Sequence, residues 1–204
     1  MTKTSEWAEY ILDDFQFEFA AGSRVLDLGC GEGVQLSDLT DRGVWAYGID
    51  LSTLALQNCK KQDLVVLQGA GERLPFLTES FDGVICNVVL PYTDERATIS
   101  EIARVLRPGG TGYVVSHGSG YYVRYLLRPP RFAYRPYGAR TLLNTWLWVQ
   151  TGRRLPGFLG DSLYQSRRRL LRYYRATGLV PLREYPSPKY LGFPVFLYDL
   201  VKKK

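Results

Sequence analysis

The sequence predicts an α/β fold, a doubly wound parallel sheet, and three observations carry that expectation. Strand and helix signals alternate from Arg24 to His117 with almost no slack between them. A glycine-rich turn joins the first strand to the first helix. With 204 residues, 46% of them hydrophobic, the chain is long enough for one sizeable core and too short for two ordinary domains.

The elements follow in order. "RVLDL" (24–28) is a branched apolar run ending in glycines, and "VQLSDLTDRG" after it has helical spacing with Gly43 as its stop. "WAYGID" repeats the strand signal, Ser52 caps a helix running to about Lys61, and "LVVLQG" is a third strand. "FDGVICNVV" is a fourth, followed by the helix "DERATISEIARVL". Pro108 and Gly109 suit the centre of a type II turn leading into a fifth strand, "TGYVVSH". Beyond a basic segment come a final helix in "SRRRLLRYYRATG" and strands near "LVPLREY" and "PVFLYDLV". The division expected is one domain: an N-terminal helical lid (1–22) around Trp7, Tyr10 and Ile11, a core (23–117), a basic aromatic cap (118–161), and a final helix with the last two strands (162–204).

Charge is unevenly spread. Between Gly118 and Arg175 stand twelve arginines, no lysine and a single acid, Asp161, whereas the formal net charge of the whole chain is only +6. Such asymmetry points to an anionic partner. The first residues lack the basic start and unbroken apolar segment of a secretory signal, and no apolar run reaches the roughly 20 residues of a membrane span. Cys30, Cys59 and Cys86 match no zinc or disulfide framework, so the expectation is a cytoplasmic protein without a metal.

In a doubly wound sheet the ligand sits at the carboxyl ends of the strands. There "VLDLGCGEG" supplies Gly29, Gly31 and Gly33 for a tight turn, with a helix N-terminus behind it. Asp50 ends the second strand, where a carboxylate accepts hydrogen bonds from ribose hydroxyls. Asp27, just before the glycines, is a poor neighbour for a pyrophosphate and a good one for an ammonium group. A nucleoside bearing an amino acid, S-adenosylmethionine, fits that pattern.

With these motifs in order, "VLDLGCGEG", "YGIDLS", "GAGERLPF", "FDGVICNVVLPY" and "EIARVLRPGG", the chain resembles the class I S-adenosylmethionine-dependent methyltransferases, specifically the type 11 group related to ubiquinone and menaquinone methyltransferases. The resemblance implies a Rossmann-like, seven-stranded, mostly parallel sheet whose last strand is antiparallel. It also implies that Asp27, Gly29, Cys30 and Gly31 surround the methionine part, Asp50 the ribose and Leu51 the adenine face. Asn87 and Val88 would lie beside the sulfonium. Where relatives commonly read "GDAERLPF", this chain has "GAGERLPF", so adenine is expected to meet main-chain groups near Ala70 and Gly71.

Methyl transfer needs alignment and water exclusion, and a base only where the acceptor must lose a proton. His117, the sole histidine, falls at the end of the fifth strand and is the first candidate for that role, with Tyr92 the second. Arginine without lysine favours bidentate contacts with phosphate or carboxylate, and Tyr121, Tyr122, Tyr125, Trp146 and Trp148 add the composition of an interfacial helix. The basic cap is therefore expected to recruit a small or lipid-like, amphipathic, anionic acceptor for O- or C-methylation at the inner membrane surface, as a peripheral protein. RNA is the alternative partner, and a non-catalytic binding module of the same fold is the alternative class.

Overall fold

The computed structural model describes residues 16–204. The lid expected around Trp7, Tyr10 and Ile11 lies outside the described residues. Seven strands form one sheet in the order β3-β2-β1-β4-β5-β9-β6, from β1 (Arg24–Leu28), β2 (Trp45–Asp50), β3 (Val66–Gln68), β4 (Phe81–Asn87), β5 (Leu106–His117), β6 (Leu179–Tyr185) and β9 (Phe196–Lys203). The first five run parallel, and β9 lies antiparallel between β5 and β6. This is the mostly parallel, Rossmann-like sheet expected, with its antiparallel last strand.

Helices α1 (Val34–Asp41), α2 (Thr53–Lys60), α3 (Glu95–Val105) and α6 (Arg167–Ala176) cover both faces. One core, with Leu36, Leu39 and Leu56, lies beneath α1 and α2; the other, with Ile99, Ile102 and Leu170, lies beneath α3 and α6. The caps follow the sequence: Ser52 Oγ accepts from Ala55 N at 3.2 Å, and Asp94 Oδ1 accepts from Arg96 N and Ala97 N at 3.0 Å. Pro108 and Gly109 do not precede the fifth strand as a separate turn. They form an excursion inside it, with Gly109 at φ 81° and six β5 residues, Leu106 to Thr111, spanning what three β4 residues, Phe81 to Gly83, do.

The basic segment folds as α4 (Ser119–Leu127) and α5 (Arg135–Thr151), broken where Pro129 and Pro130 stand. The helices approach so closely that a Cβ on Gly138 would meet the Tyr122 carbonyl oxygen at 2.7 Å. A third, aromatic core fills the space between this cap and the sheet, with Tyr121, Tyr122, Tyr125, Phe196 and Tyr198. A small hairpin of β7 (Lys189–Tyr190) and β8 (Phe193–Pro194), absent from the sequence expectation, packs against α4.

Four arginines of the segment serve the fold itself. Arg167 pairs with Asp199 and Glu184, and Arg140 pairs with Asp161 at 2.9 Å. Arg154 Nη2 donates to the Thr93 carbonyl at 2.7 Å, and Arg169 meets Glu95 at 2.5 Å. The charge run is therefore part internal scaffold and part surface.

Candidate functional site

The strand β1 delivers the chain at Leu28 into a turn where Gly29 takes φ 76°. A side chain there would also sit 2.3 Å from Val89 Cγ2, so both conformation and space require glycine. Gly29→Ala is expected to destabilise the protein by about 1–3 kcal/mol and to narrow the cleft beside it, read by urea unfolding and cofactor titration. An unchanged midpoint would contradict this placement.

The turn is fastened to β2. Gly29 N and Cys30 N both donate to the Ile49 carbonyl, at 2.7 and 3.2 Å. Asp50 accepts from Gly31 N through Oδ2 at 2.9 Å and from Ser52 N through Oδ1 at 2.8 Å. A carboxylate held in this way keeps lone pairs for further hydroxyl donors.

Beneath the turn lies Asp27, 1% exposed. Its Oδ2 has no hydrogen-bond partner among the described residues. Burial, and then the charge of Asp50, pushes its pKa up to about 7. A buried carboxylate lacking a donor is costly, and a cation supplied from the cleft would remove that cost.

A cleft of about 250 Å³ opens beside the turn, and Gly29, Asp50, Leu51, Gly71, Asn87, Val88 and Tyr92 line it, whereas Asp27 and Gly31 are not among its lining residues. Leu28, Ile49, Gly69, Val89 and Thr93 complete the wall. Val88, a β-branched residue, stands at φ 59°, held there as its N–H donates to the Val115 carbonyl at 2.9 Å. Backbone strain of this kind persists only where neighbours enforce it, and it gathers at ligand sites. Ala70 lies between two cleft-lining glycines without lining the cleft itself. Cys30 turns away: it is buried, and its Sγ would be 2.7 Å from a Cβ on Gly48. Its thiol is pushed up to about 12, chiefly by burial.

His117 ends β5 as expected, yet the structure does not bring it to the cleft. Antiparallel pairing with Phe196 buries it, and α4, starting two residues later, lays the Tyr121 ring over the imidazole at 3.7 Å between centroids. Burial pushes its pKa down to about 3, so the ring is neutral and weakly basic. A general base must face the acceptor and bind a proton near neutral pH, and a buried, stacked imidazole of such low basicity meets neither condition.

Tyr92 is the sequence-predicted catalytic residue that does reach the cleft, and it meets the cap there. Its hydroxyl lies 3.1 Å from that of Tyr137 on α5. The Tyr137 ring packs on that of Tyr122 at 5.6 Å between centroids, and the Tyr122 hydroxyl is 3.3 Å from His117 Nδ1. Partial burial, then the Tyr137 hydrogen bond, raises the Tyr92 pKa well above the usual phenol range. Its hydroxyl stays protonated, fit to donate and not to abstract. The chain just after the cap is tied to the same rim, since Leu163 N donates to the Pro91 carbonyl at 2.8 Å. Tyr137 was not legible in sequence, being 45 residues from its partner, whereas Gly69 stood in "GAGERLPF" beside the residues chosen.

Residues 26–114 match the methyltransferase domain family of type 11. A demethylmenaquinone methyltransferase of Mycobacterium sp. (strain KMS) is 40% identical over 90 residues, 44% of this chain and 39% of that protein. The enzyme of the same name from Beutenbergia cavernae is 36% identical over 121 residues, 53% of this chain and 50% of that protein. The chain thus spans half or less of the length of these curated relatives. Among solved structures, an S-adenosylmethionine-dependent methyltransferase from Mesorhizobium loti superposes with a TM-score of 0.67 at 18% identity, covering 92% of this chain and 94% of that one. A putative methyltransferase bound to the Haloferax volcanii Trm112 activator gives 0.63 at 23%, covering 92% and 85%. At such identities the likeness shows a shared fold. The ordered motifs, the sheet with its antiparallel β9, the glycine turn beside the buried Asp27 and the family match together make residues 26–114 a methyltransferase domain of type 11, in a chain similar to the class I S-adenosylmethionine-dependent methyltransferases.

Proposed function

We propose that the protein is an enzyme that methylates a small or lipid-like, amphipathic acceptor bearing an anionic group, at oxygen or carbon. The observation that carries the reading is the buried Asp27 Oδ2, without a hydrogen-bond partner among the described residues, just before the glycine turn. Bound S-adenosylmethionine supplies a methyl group already activated by its sulfonium. Asp27 offers the ammonium group a buried counter-charge, and Asp50 offers ribose hydroxyls its remaining lone pairs. Leu51 presents an apolar face for the base, and main-chain groups from Gly69 to Gly71 replace the missing carboxylate. Asn87 and the strained Val88 shape the reacting end. Tyr92, kept protonated, donates a hydrogen bond to an acceptor oxygen and orients it, with the Tyr137 hydroxyl behind it.

The acceptor class is supported by relatives named for demethylmenaquinone and by the arginine-rich cap docked on the rim at Thr93. Calorimetry with S-adenosylmethionine is expected to give one site of micromolar affinity. Absence of binding at millimolar cofactor would instead favour a non-catalytic module. Incubation of cell extracts with methyl-labelled cofactor is expected to place label in the lipid fraction; label in RNA would overturn the acceptor class.

A further inference from the structure

Helix α5 is built inside out. Its inward face holds Gly138, Thr141, Asn144 and Thr145, all buried. Each polar group there is satisfied: Thr141 Oγ1 lies 2.8 Å from Ser162 Oγ, Asn144 Nδ2 donates to the Ser162 carbonyl at 2.9 Å, and Asn144 Oδ1 accepts from Leu155 N at 2.8 Å. Tyr164 N donates to Thr145 Oγ1 at 3.1 Å. These bonds lock the rotation of the helix, because turning it would bury them unmade. The opposite face consequently shows Leu143, Trp146 and Val149 to solvent, at 54%, 59% and 56% exposure. Phe132, 78% exposed, extends this face at its N-terminal end, where the Arg135 guanidinium lies 4.9 Å from its ring centroid. An ordinary surface helix does the reverse.

We propose that this outer face of α5, with the turn before it, docks on an anionic lipid bilayer. Charge decides the partner. From Gly118 to Gly160 the chain has no acidic residue, and Arg128, Arg131 and Arg135 stand exposed around Phe132. Exposed apolar side chains beside cations, with tryptophan among them, match the headgroup boundary of a membrane carrying negative lipids. A second copy would meet this face across a two-fold axis and set arginine against arginine. Nucleic acid would leave Leu143 and Val149 without a role, since bases stack on aromatic and guanidinium planes. No described helix is long and apolar enough to cross a membrane, so the contact is peripheral. The proposal goes beyond the methyl-transfer reading, since the bilayer would hold this face whether or not the acceptor resides in it.

The test is co-sedimentation of the whole chain with vesicles of phosphatidylcholine alone, or of phosphatidylcholine mixed with phosphatidylglycerol, at physiological salt. The protein is expected to follow the mixed vesicles and to stay in solution with the neutral ones. Leu143→Glu and Trp146→Glu should each weaken partitioning about tenfold. Arg128→Gln and Arg131→Gln should weaken it roughly fivefold apiece. Melting temperature and cofactor affinity, which these exposed positions do not serve, should hold. Equal sedimentation with both vesicles, indifference to all four substitutions, or a dimer in light scattering that Leu143→Glu abolishes would each overturn the proposal. So would quantitative release from the mixed vesicles by bulk RNA. Normal vesicle binding in a protein that ignores S-adenosylmethionine would sink the transferase reading and leave this one standing.

Discussion

Replacing Asp27 by asparagine is expected to weaken S-adenosylmethionine binding by about a hundredfold or more, the usual consequence of deleting one partner of a buried charged pair. The loss should be read by calorimetry, together with its dependence on pH. In the free protein burial and Asp50 raise the Asp27 pKa from 3.8 to about 7. Pairing with an ammonium requires the ionised form, so binding below that pH must first release a proton. Affinity should therefore fall about tenfold per pH unit below 7 in the wild type, and Asp27→Asn should flatten that slope. Stability of the free protein runs the other way. A carboxyl raised in the folded state loses its contribution as pH climbs from about 4 to about 7, because only the unfolded chain ionises freely there. Asp27→Asn should thus make the cofactor-free protein more stable than wild type at pH 8, while the two converge near pH 4. A variant with normal affinity, or one less stable than wild type at pH 8, would remove Asp27 from the site.

Breaking the clamp between Glu95 and Arg169 should give the largest loss of stability. Glu95 on α3 is 1% exposed and Arg169 on α6 is 3% exposed. Around that pair Tyr173 Oη donates to Glu95 Oε1 at 3.1 Å, and Gln165 Nε2 donates to Glu95 Oε2 at 3.3 Å. The Arg169 guanidinium also lies 5.0 Å from the Trp148 ring centroid, so the clamp joins the cap to the core. Either Glu95→Ala or Arg169→Ala strands a buried charge, for a cost of about 3–5 kcal/mol in urea unfolding. The melting temperature should fall by roughly 10 °C. The exposed pair of Arg42 and Asp38, 2.8 Å apart along α1, provides the contrast. Asp38→Ala should cost no more than about 1 kcal/mol. Replacing Glu95 and Arg169 together by leucine and methionine should recover part of the loss, since no charge is then left unpaired. A single-variant cost no greater than that of Asp38→Ala would show that the clamp is solvated in practice.

What the sequence by itself determined was whatever depends on neighbours along the chain. Apolar periodicity marked the strands and helices, Ser52 and Asp94 marked two helix starts, and "VLDLGCGEG" and "YGIDLS" placed Asp27 and Asp50 at adjacent strand ends. Fold class and the strand ends that border the cleft were legible because a parallel sheet turns such local order into spatial order. Tertiary structure decided everything that depends on what packs against what. His117 sits at the strand end read from sequence, but the pairing of β5 with β9 and the return of α4 bury it. Four arginines of the basic run were claimed by Glu95, Thr93, Asp161, and Asp199 with Glu184, residues far away in sequence or on another element. Tyr121, Tyr122, Tyr125, Trp146 and Trp148 gave the cap the composition of an interfacial helix without saying which side would face inward. Hydrogen bonds between Thr141, Asn144 and Thr145 and the segment 155–164 settled that, and so turned the apolar side toward solvent.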